Sequence, residues 1–223
     1  MLDLQPKMTG INRREQFIAI TIFDKVYITS DTHAFHKNIC RGTTEWSIDQ
    51  RQLASGNVLG VRDFDTPEQM TTQLADNINS MVGPDDILFH LGDLSFGGED
   101  KIPMFRDMLN VKTIHLITGN HDHFQERGNW DHIFSSRQKY LEIQIGKLTF
   151  VLFHFKISSW NGINKGWYQL HGHQHWTGDL RFGNGRQMDV GVDGNDLKPY
   201  KLTDVVDLLK DRRFNDPNDH HGK

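Results

Sequence analysis

Short β-branched apolar runs set the rhythm of this chain, broken by one strong helical stripe. Residues 16–23 and 25–30 flank Asp24 and predict a hairpin or bent strand pair. Residues 34–65 keep no period; Gly, Thr, Trp and charge mix there, which predicts a long loop with one short helix. From Thr66 the pattern turns helical. Thr66 suits an N-cap, Pro67 the first helical position, and Gln69 completes a capping box. Met70, Leu74, Ile78 and Met81 then recur at helical spacing until Gly83-Pro84 stops them. Residues 86–91 and 112–117 read as strands, with a helix over 101–110 between them whose inward residues are Met104, Phe105 and Met108.

The second half is richer in strands. Residues 141–145 and 148–155 flank Gly146-Lys147, a two-residue hairpin signal. Residues 167–170 and 187–192 read as further strands, and 203–212 as a closing helix capped by Thr203. Residues 1–14 form a loose lead-in and 215–223 a frayed polar tail. Alternating strands and helices followed by a strand-rich half predict a layered α/β sandwich, with residues 1–223 as one domain.

Composition narrows the function classes. A net charge of −4 disfavours a mainly electrostatic nucleic-acid binder, while a local basic patch stays open. One cysteine, Cys40, excludes an internal disulfide and fits a reducing compartment. The first residues have neither a basic nor a long apolar region, and no apolar run reaches bilayer length, so a cytoplasmic protein with no membrane contact is expected. The count that changes the picture is 13 histidines. Histidine is the commonest metal ligand and acid/base group near neutral pH. His220 and His221, in the polar tail, are set aside.

Five strand-to-loop junctions end in residues able to bind a metal: Asp31 and His33; Asp93; Asn120 and His121; His154; His173 and His175. Taken singly each has a plainer reading. His154 in an apolar strand reads as a core histidine. His173 and His175, with His171, read as one face of a strand. Asp31 can cap a turn. Five such junctions together, at the strand ends where open α/β sheets bind ligands, point to a metal site. Imidazole, carboxylate and amide without thiolate suit Mn, Fe, Zn, Co or Ni. Asp31, His33, Asp93, Asn120, His154, His173 and His175 make seven ligands, which exceed one tetrahedral ion and suit two ions sharing a carboxylate.

The ordered blocks Asp31-Thr32-His33, Gly92-Asp93, Gly119-Asn120-His121-Asp122, His154 and Gly172-His173-Gln174-His175 resemble the calcineurin-like metallophosphoesterase superfamily. The resemblance implies a four-layer α/β/β/α sandwich with two mixed sheets and a dinuclear site between them. It implies one metal on Asp31, His33 and His175, a second on Asn120, His154 and His173, and Asp93 bridging. It also implies two divalent transition metal ions, manganese foremost, and in-line attack of a metal-bridging hydroxide on phosphorus. His121 would protonate the leaving oxygen, with Asp122 holding its imidazole in place and favouring its charged form.

Protein phosphatases of the superfamily carry Asp-Arg after the Gly-Asp and Glu after the Asn-His. Here Leu94-Ser95-Phe96-Gly97-Gly98 follows the Gly-Asp with no Asp-Arg pair, and Asp122 follows His121, which disfavours that branch. Fewer than 50 residues follow His175, too few for the capping domain of the recombination nucleases. The small bacterial and phage phosphoesterases are most similar in style. A phosphodiester or phosphomonoester is therefore expected, a small nucleotide or cyclic nucleotide first. A nuclease of the same chemistry and a non-catalytic scaffold are the alternatives. His36, Asn38, Arg41, Trp160 and His171 are substrate-side candidates, weighed against ordinary loop polarity or core packing. Asn161 is a further one, for a nucleobase. The charged stretch 49–62 reads as solvated, and Asp193 and Asn195 as a structural turn.

Overall fold

Two five-stranded mixed sheets divide the apolar runs between them in the computed structural model, which describes residues 19–20, 23–43, 62–176 and 184–214. One sheet has the order β10-β2-β3-β4-β5, built from β2 (Val26–Thr29), β3 (Ile87–His90), β4 (Thr113–Ile117), β5 (Ser136–Gln138) and β10 (Tyr200–Lys201). The other has the order β1-β6-β7-β8-β9, from β1 (Ala19–Ile20), β6 (Tyr140–Ile145), β7 (Leu148–Phe153), β8 (Tyr168–His171) and β9 (Gln187–Asp189). Period-two alternation gives the first sheet two apolar faces. Leu88, Ile114 and Leu116 pack under Met70, Leu74 and Ile78 of α1 (Pro67–Met81) and Ile102 and Phe105 of α2 (Lys101–Asp107). Val26, Ile28, Phe89, Leu91 and Ile117 meet Leu141, Ile143, Phe150, Leu152 and Leu170 of the second sheet. Each such side chain contributes about 1.5–3 kcal/mol on full burial.

The mixed α/β architecture with two mixed sheets is as expected. Beyond the second sheet, residues 155–167 with one short 3-10 turn supply cover, tied down by Gln187 to Ile157 O (2.6 Å) and Asn161 to Glu142 (3.0 and 3.1 Å). Two further short helices stand among the described residues: α3 (His123–Arg127) and α4 (Leu202–Leu209).

Local chemistry explains what agrees. Thr66 accepts from the Gln69 amide at 3.2 Å, and the Gln69 side chain answers to the Thr66 amide at 3.3 Å. The Gly146-Lys147 hairpin pairs Ile145 with Leu148. Several expectations are corrected. β1 and β2 are no hairpin: β1 pairs parallel with β6 and β2 parallel with β3, in different sheets. In α2 the buried positions are Ile102 and Phe105, while Met104 is 46% exposed. Here α4 starts at Leu202 directly off β10, so Thr203 lies inside it and caps nothing. Of the stretch 49–62, Arg62 is described and is buried, not solvated. The lead-in 1–14, the tail 215–223 and residues 49–61 lie outside the described residues. No described helix is long and apolar enough to cross a membrane.

What matters for chemistry is direction. β2, β3 and β4 are parallel, as are β7, β8 and β9, so six carboxyl ends are available to one site. A parallel bridge from Ser30 to Gly191 and the Val192 N–H to Ser30 O bond (3.1 Å) sew the two sheets together at that end.

Candidate metal centre

Past their last strand residues, neighbouring chains stay hydrogen-bonded. The amides of Asp31 and His33 donate to the carbonyls of Gly92 and Asp93, both at 2.9 Å. The side chains so placed form two groups, Asp31–His33–His175 and Asp93–His154–His173, each with its candidate ligand atoms within 4.8 Å of one another. Asp93 lies between them: Oδ2 is 3.4 Å from Nε2 of His33 and 3.5 Å from Nε2 of His154. Asn120 joins the second group, with Oδ1 3.0 Å from Nε2 of His154.

The backbone needed for this is unusual. Of the eight non-glycine residues with positive φ among the described residues, five are Asp31, His33, Asp93, His173 and His175. Each costs about 1–2 kcal/mol for an L-residue, and such strain collects at functional sites. It also corrects the sequence reading of residues 171–175. β8 ends at His171, and left-handed turns at His173 (φ 70°) and His175 (φ 48°) replace strand alternation. His171 is buried at the end of β8. It is 2% exposed, bonds the Gly172 carbonyl at 3.0 Å, and is pulled down to about 4 by burial. Gly92 (φ 103°) is required as glycine. A Cβ there would sit 2.6 Å from the Gly119 nitrogen and 2.7 Å from Nδ1 of His154.

The ring partners assign tautomers. Nδ1 of His154 stands 2.7 Å from Leu91 O, which only accepts, so Nε2 faces Asp93 and Asn120. Nδ1 of His175 stands 2.7 Å from Asp193, which turns its Nε2 to within 3.2 Å of Nε2 of His33. Two imidazole nitrogens that close need a proton or a cation between them. Asp31 is fully buried and its carboxyl is pushed up to about 7 by that burial, which His175 and His154 partly oppose. Burial lowers His154, but Asp93 and Asp31 outweigh it and lift it to about 9. Burial raises Asp93, and His154 and His33 hold it low instead. Buried carboxylates converging with imidazole nitrogens, and protons held on them where cations would sit, fit divalent metal ions.

The remaining candidates scatter. His121 is exposed; its ring centroid is 5.1 Å from Phe96 and 5.5 Å from His33, and its amide donates to Asp93 Oδ1 at 2.9 Å. His36 stacks on Phe96 with centroids 3.8 Å apart, at the edge of the first group. Asn38 lies on the 3-10 turn Lys37–Ile39, and Arg41 is in an exposed 3.1 Å pair with Asp63. Trp160 is 7% exposed and its indole donates to Trp167 O at 3.1 Å, so it packs the cover of the second sheet. Asn161 is spent on Glu142.

Asp122 does not hold His121. A turn from Gly119 to Asp122 swings its carboxylate inward, where it accepts from the amides of Asp93 (2.7 Å), Leu94 (3.0 Å) and Gly119 (2.7 Å). It ties the loops that carry Asp93 and Asn120 to each other. Asp122→Ala leaves three buried donors unsatisfied at about 1–3 kcal/mol each. A loss of roughly 3–5 kcal/mol is expected in chemical denaturation of the metal-free protein, and a change under about 0.5 kcal/mol would contradict this role.

Three participants escaped the sequence reading. His90 takes the Gly92 amide on Nδ1 (3.2 Å) and reaches Thr32 Oγ1 with Nε2 (2.9 Å), and Thr32 passes the chain to Leu94 O (2.7 Å). Arg62 and Asp193 form a buried bidentate pair beside His175. Asp193 closes the sequence Asp189-Val190-Gly191-Val192-Asp193, and an acid that close to a buried strand end was the signal available.

The family profile described as calcineurin-like phosphoesterase matches residues 24–222. A protein of Methanocaldococcus jannaschii, itself uncharacterized, is 29% identical over 192 residues, which cover 83% of this chain and 92% of the relative. A solved protein of unknown function from Aquifex aeolicus superposes with a TM-score of 0.59 at 22% identity, over 86% of this chain and all of the other. A predicted phosphoesterase from Streptococcus pneumoniae gives a TM-score of 0.31 at 13% identity, over 74% of this chain and 70% of its own.

Proposed function

The chain belongs to the calcineurin-like phosphoesterase family, and from that premise we propose that it hydrolyses a small phosphate ester, a nucleotide or cyclic nucleotide first, with two divalent transition metal ions. The observation that carries this reading is the pair of ligand groups with Asp93 between them. Asp31, His33 and His175 would hold one ion, Asn120, His154 and His173 the other, and Asp93 would touch both. Bound there, such ions supply an acidified water and neutralise charge on phosphoryl oxygens.

The chain's own groups do the rest. His121, exposed beside the ligands and spent on none of them, is the proton donor to the leaving oxygen. Its position comes from the backbone, through the His121 N–H to Asp93 Oδ1 bond. The Phe96–His36 stack next to His121 supports an aromatic or sugar-borne leaving group on that side. The net charge of −4 gives a long polyanion no support.

The test is a substrate panel with Mn: an aryl phosphodiester, nucleotides, cyclic nucleotides and oligonucleotides. Hydrolysis should vanish with chelator and return with Mn, and small nucleotides should outrun oligonucleotides. No turnover with metal loaded, or turnover indifferent to chelation, defeats the reading. Protons also compete with metal. The groups at about 9 and about 7, His154 and Asp31, must lose protons before Nε2 and the carboxylate can bind. Mn affinity at the His154 group should therefore rise with pH from 7 to 9, about tenfold per unit. Calorimetry at three pH values checks this, and a flat profile contradicts it.

A further inference from the structure

Arg62 is a buried cation with no ligand role, and its guanidinium makes four well-formed bonds. Nη1 donates to Thr32 O at 2.5 Å and Nη2 to Asp31 O at 2.6 Å. Nε and Nη2 donate to the two oxygens of Asp193, both at 3.0 Å. The fork geometry is what lets one side chain serve a carboxylate and two carbonyls together. Asp193 in turn accepts from Nδ1 of His175 at 2.7 Å.

These bonds reach every member of one ligand group. Asp31 and His33 sit in a turn with φ of 58° and 45°, and that conformation turns the carbonyls of Asp31 and Thr32 toward Arg62. His175 is reached through Asp193, whose bond to Nδ1 leaves Nε2 directed at His33 (3.2 Å) and Asp31 Oδ1 (3.8 Å). In the other group His154 is held instead by a neutral carbonyl, Leu91 O. We propose that Arg62 and Asp193 are positioning residues for one metal ion only, the one held by Asp31, His33 and His175. They set the turn that aims the first two and the ring orientation of the third. Partners that orient a ligating histidine act on metal affinity by about 10–100-fold.

The inference rests on the two-ion reading, and calorimetric Mn titration of metal-stripped protein with electron paramagnetic resonance separates the two. Wild type should bind two ions and give an exchange-coupled signal. Asp193→Asn keeps the shape of the side chain. It should weaken one site about 10–100-fold, leave the other within about threefold, and convert the signal to that of isolated Mn. Arg62→Lys keeps the charge without the fork and should act in the same direction. Arg62→Met with Asp193→Asn removes both charges together, which spares the fold an unpaired buried ion, and should show the same one-site loss. A packing role alone would lower the melting temperature and weaken both sites in parallel. That outcome, or two wild-type affinities in Asp193→Asn, overturns the proposal. If wild type takes up a single ion, the pairing of metals fails on its own, and an unchanged affinity for that ion in Asp193→Asn overturns the positioning role.

Discussion

Asp93→Ala is expected to cut turnover of any ester this chain accepts by about 10³-fold or more, with Mn present in excess. Charge stabilisation by a bound ion is worth several kcal/mol, and each ~1.4 kcal/mol is a factor of ten in rate. Asp93 is the residue whose loss touches both ligand groups, since Oδ2 lies 3.4 Å from His33 Nε2 and 3.5 Å from His154 Nε2. The same carboxylate accepts the His121 amide through Oδ1, so its removal also frees the loop that presents the proposed proton donor. Asp93→Asn separates the two effects. It keeps an acceptor for His121 but loses the negative charge, so its rate should fall nearly as far while the melting temperature stays closer to wild type. Steady-state rates at saturating Mn decide the matter. A loss below about tenfold in Asp93→Ala would mean that the carboxylate is not shared.

How far this site could be read from the chain depends on the range of the interactions that make it. Caps and hairpins are local, and Thr66-Pro67 with Gln69 and Gly146-Lys147 act as their chemistry dictates. Strand partners are not local. The run around residues 19–20 looks like a neighbour for β2, yet it pairs with Gln144 and Ile145, and nothing in its alternation encodes that choice. In α2 the stripe can be drawn through Met104 and Met108 or through Ile102 and Phe105, and seven residues are too few for periodicity to separate the two. At the site, residue type pointed to side chains that the fold does bring together as two candidate metal groups, because imidazole and carboxylate rarely recur at strand ends without cause. Asp122 shows the limit of that logic. Adjacent to His121 in sequence, it belongs to the backbone amides of Asp93, Leu94 and Gly119, because a turn separates neighbours in the chain. Arg62 shows the converse. It ends a stretch that reads as solvated charge, and only its distant partners, Asp31, Thr32 and Asp193, make its burial tolerable.

His121→Ala should divide substrates by their leaving groups. A general acid contributes about 10²–10⁴-fold, and only where the departing oxygen needs a proton. An aryl oxide departs without help, whereas a ribose or other alkyl oxygen departs poorly as an alkoxide. A loss of about 10²-fold or more is therefore expected on alkyl and nucleoside esters, against less than about tenfold on an activated aryl diester. The fold should not confuse the comparison. His121 is exposed, and the bond it gives to Asp93 comes from its backbone amide, which alanine retains. Metal affinity should accordingly stay at the wild-type value, the opposite of what a ligand's removal would do. Rates on paired alkyl and aryl esters, with Mn affinity measured on the same preparations, make three outcomes distinct. Unequal rate losses with unchanged affinity support a proton donor. Equal losses on both esters with unchanged affinity assign His121 to phosphate binding instead. A lost metal ion would place the imidazole among the ligands, beside Asn120.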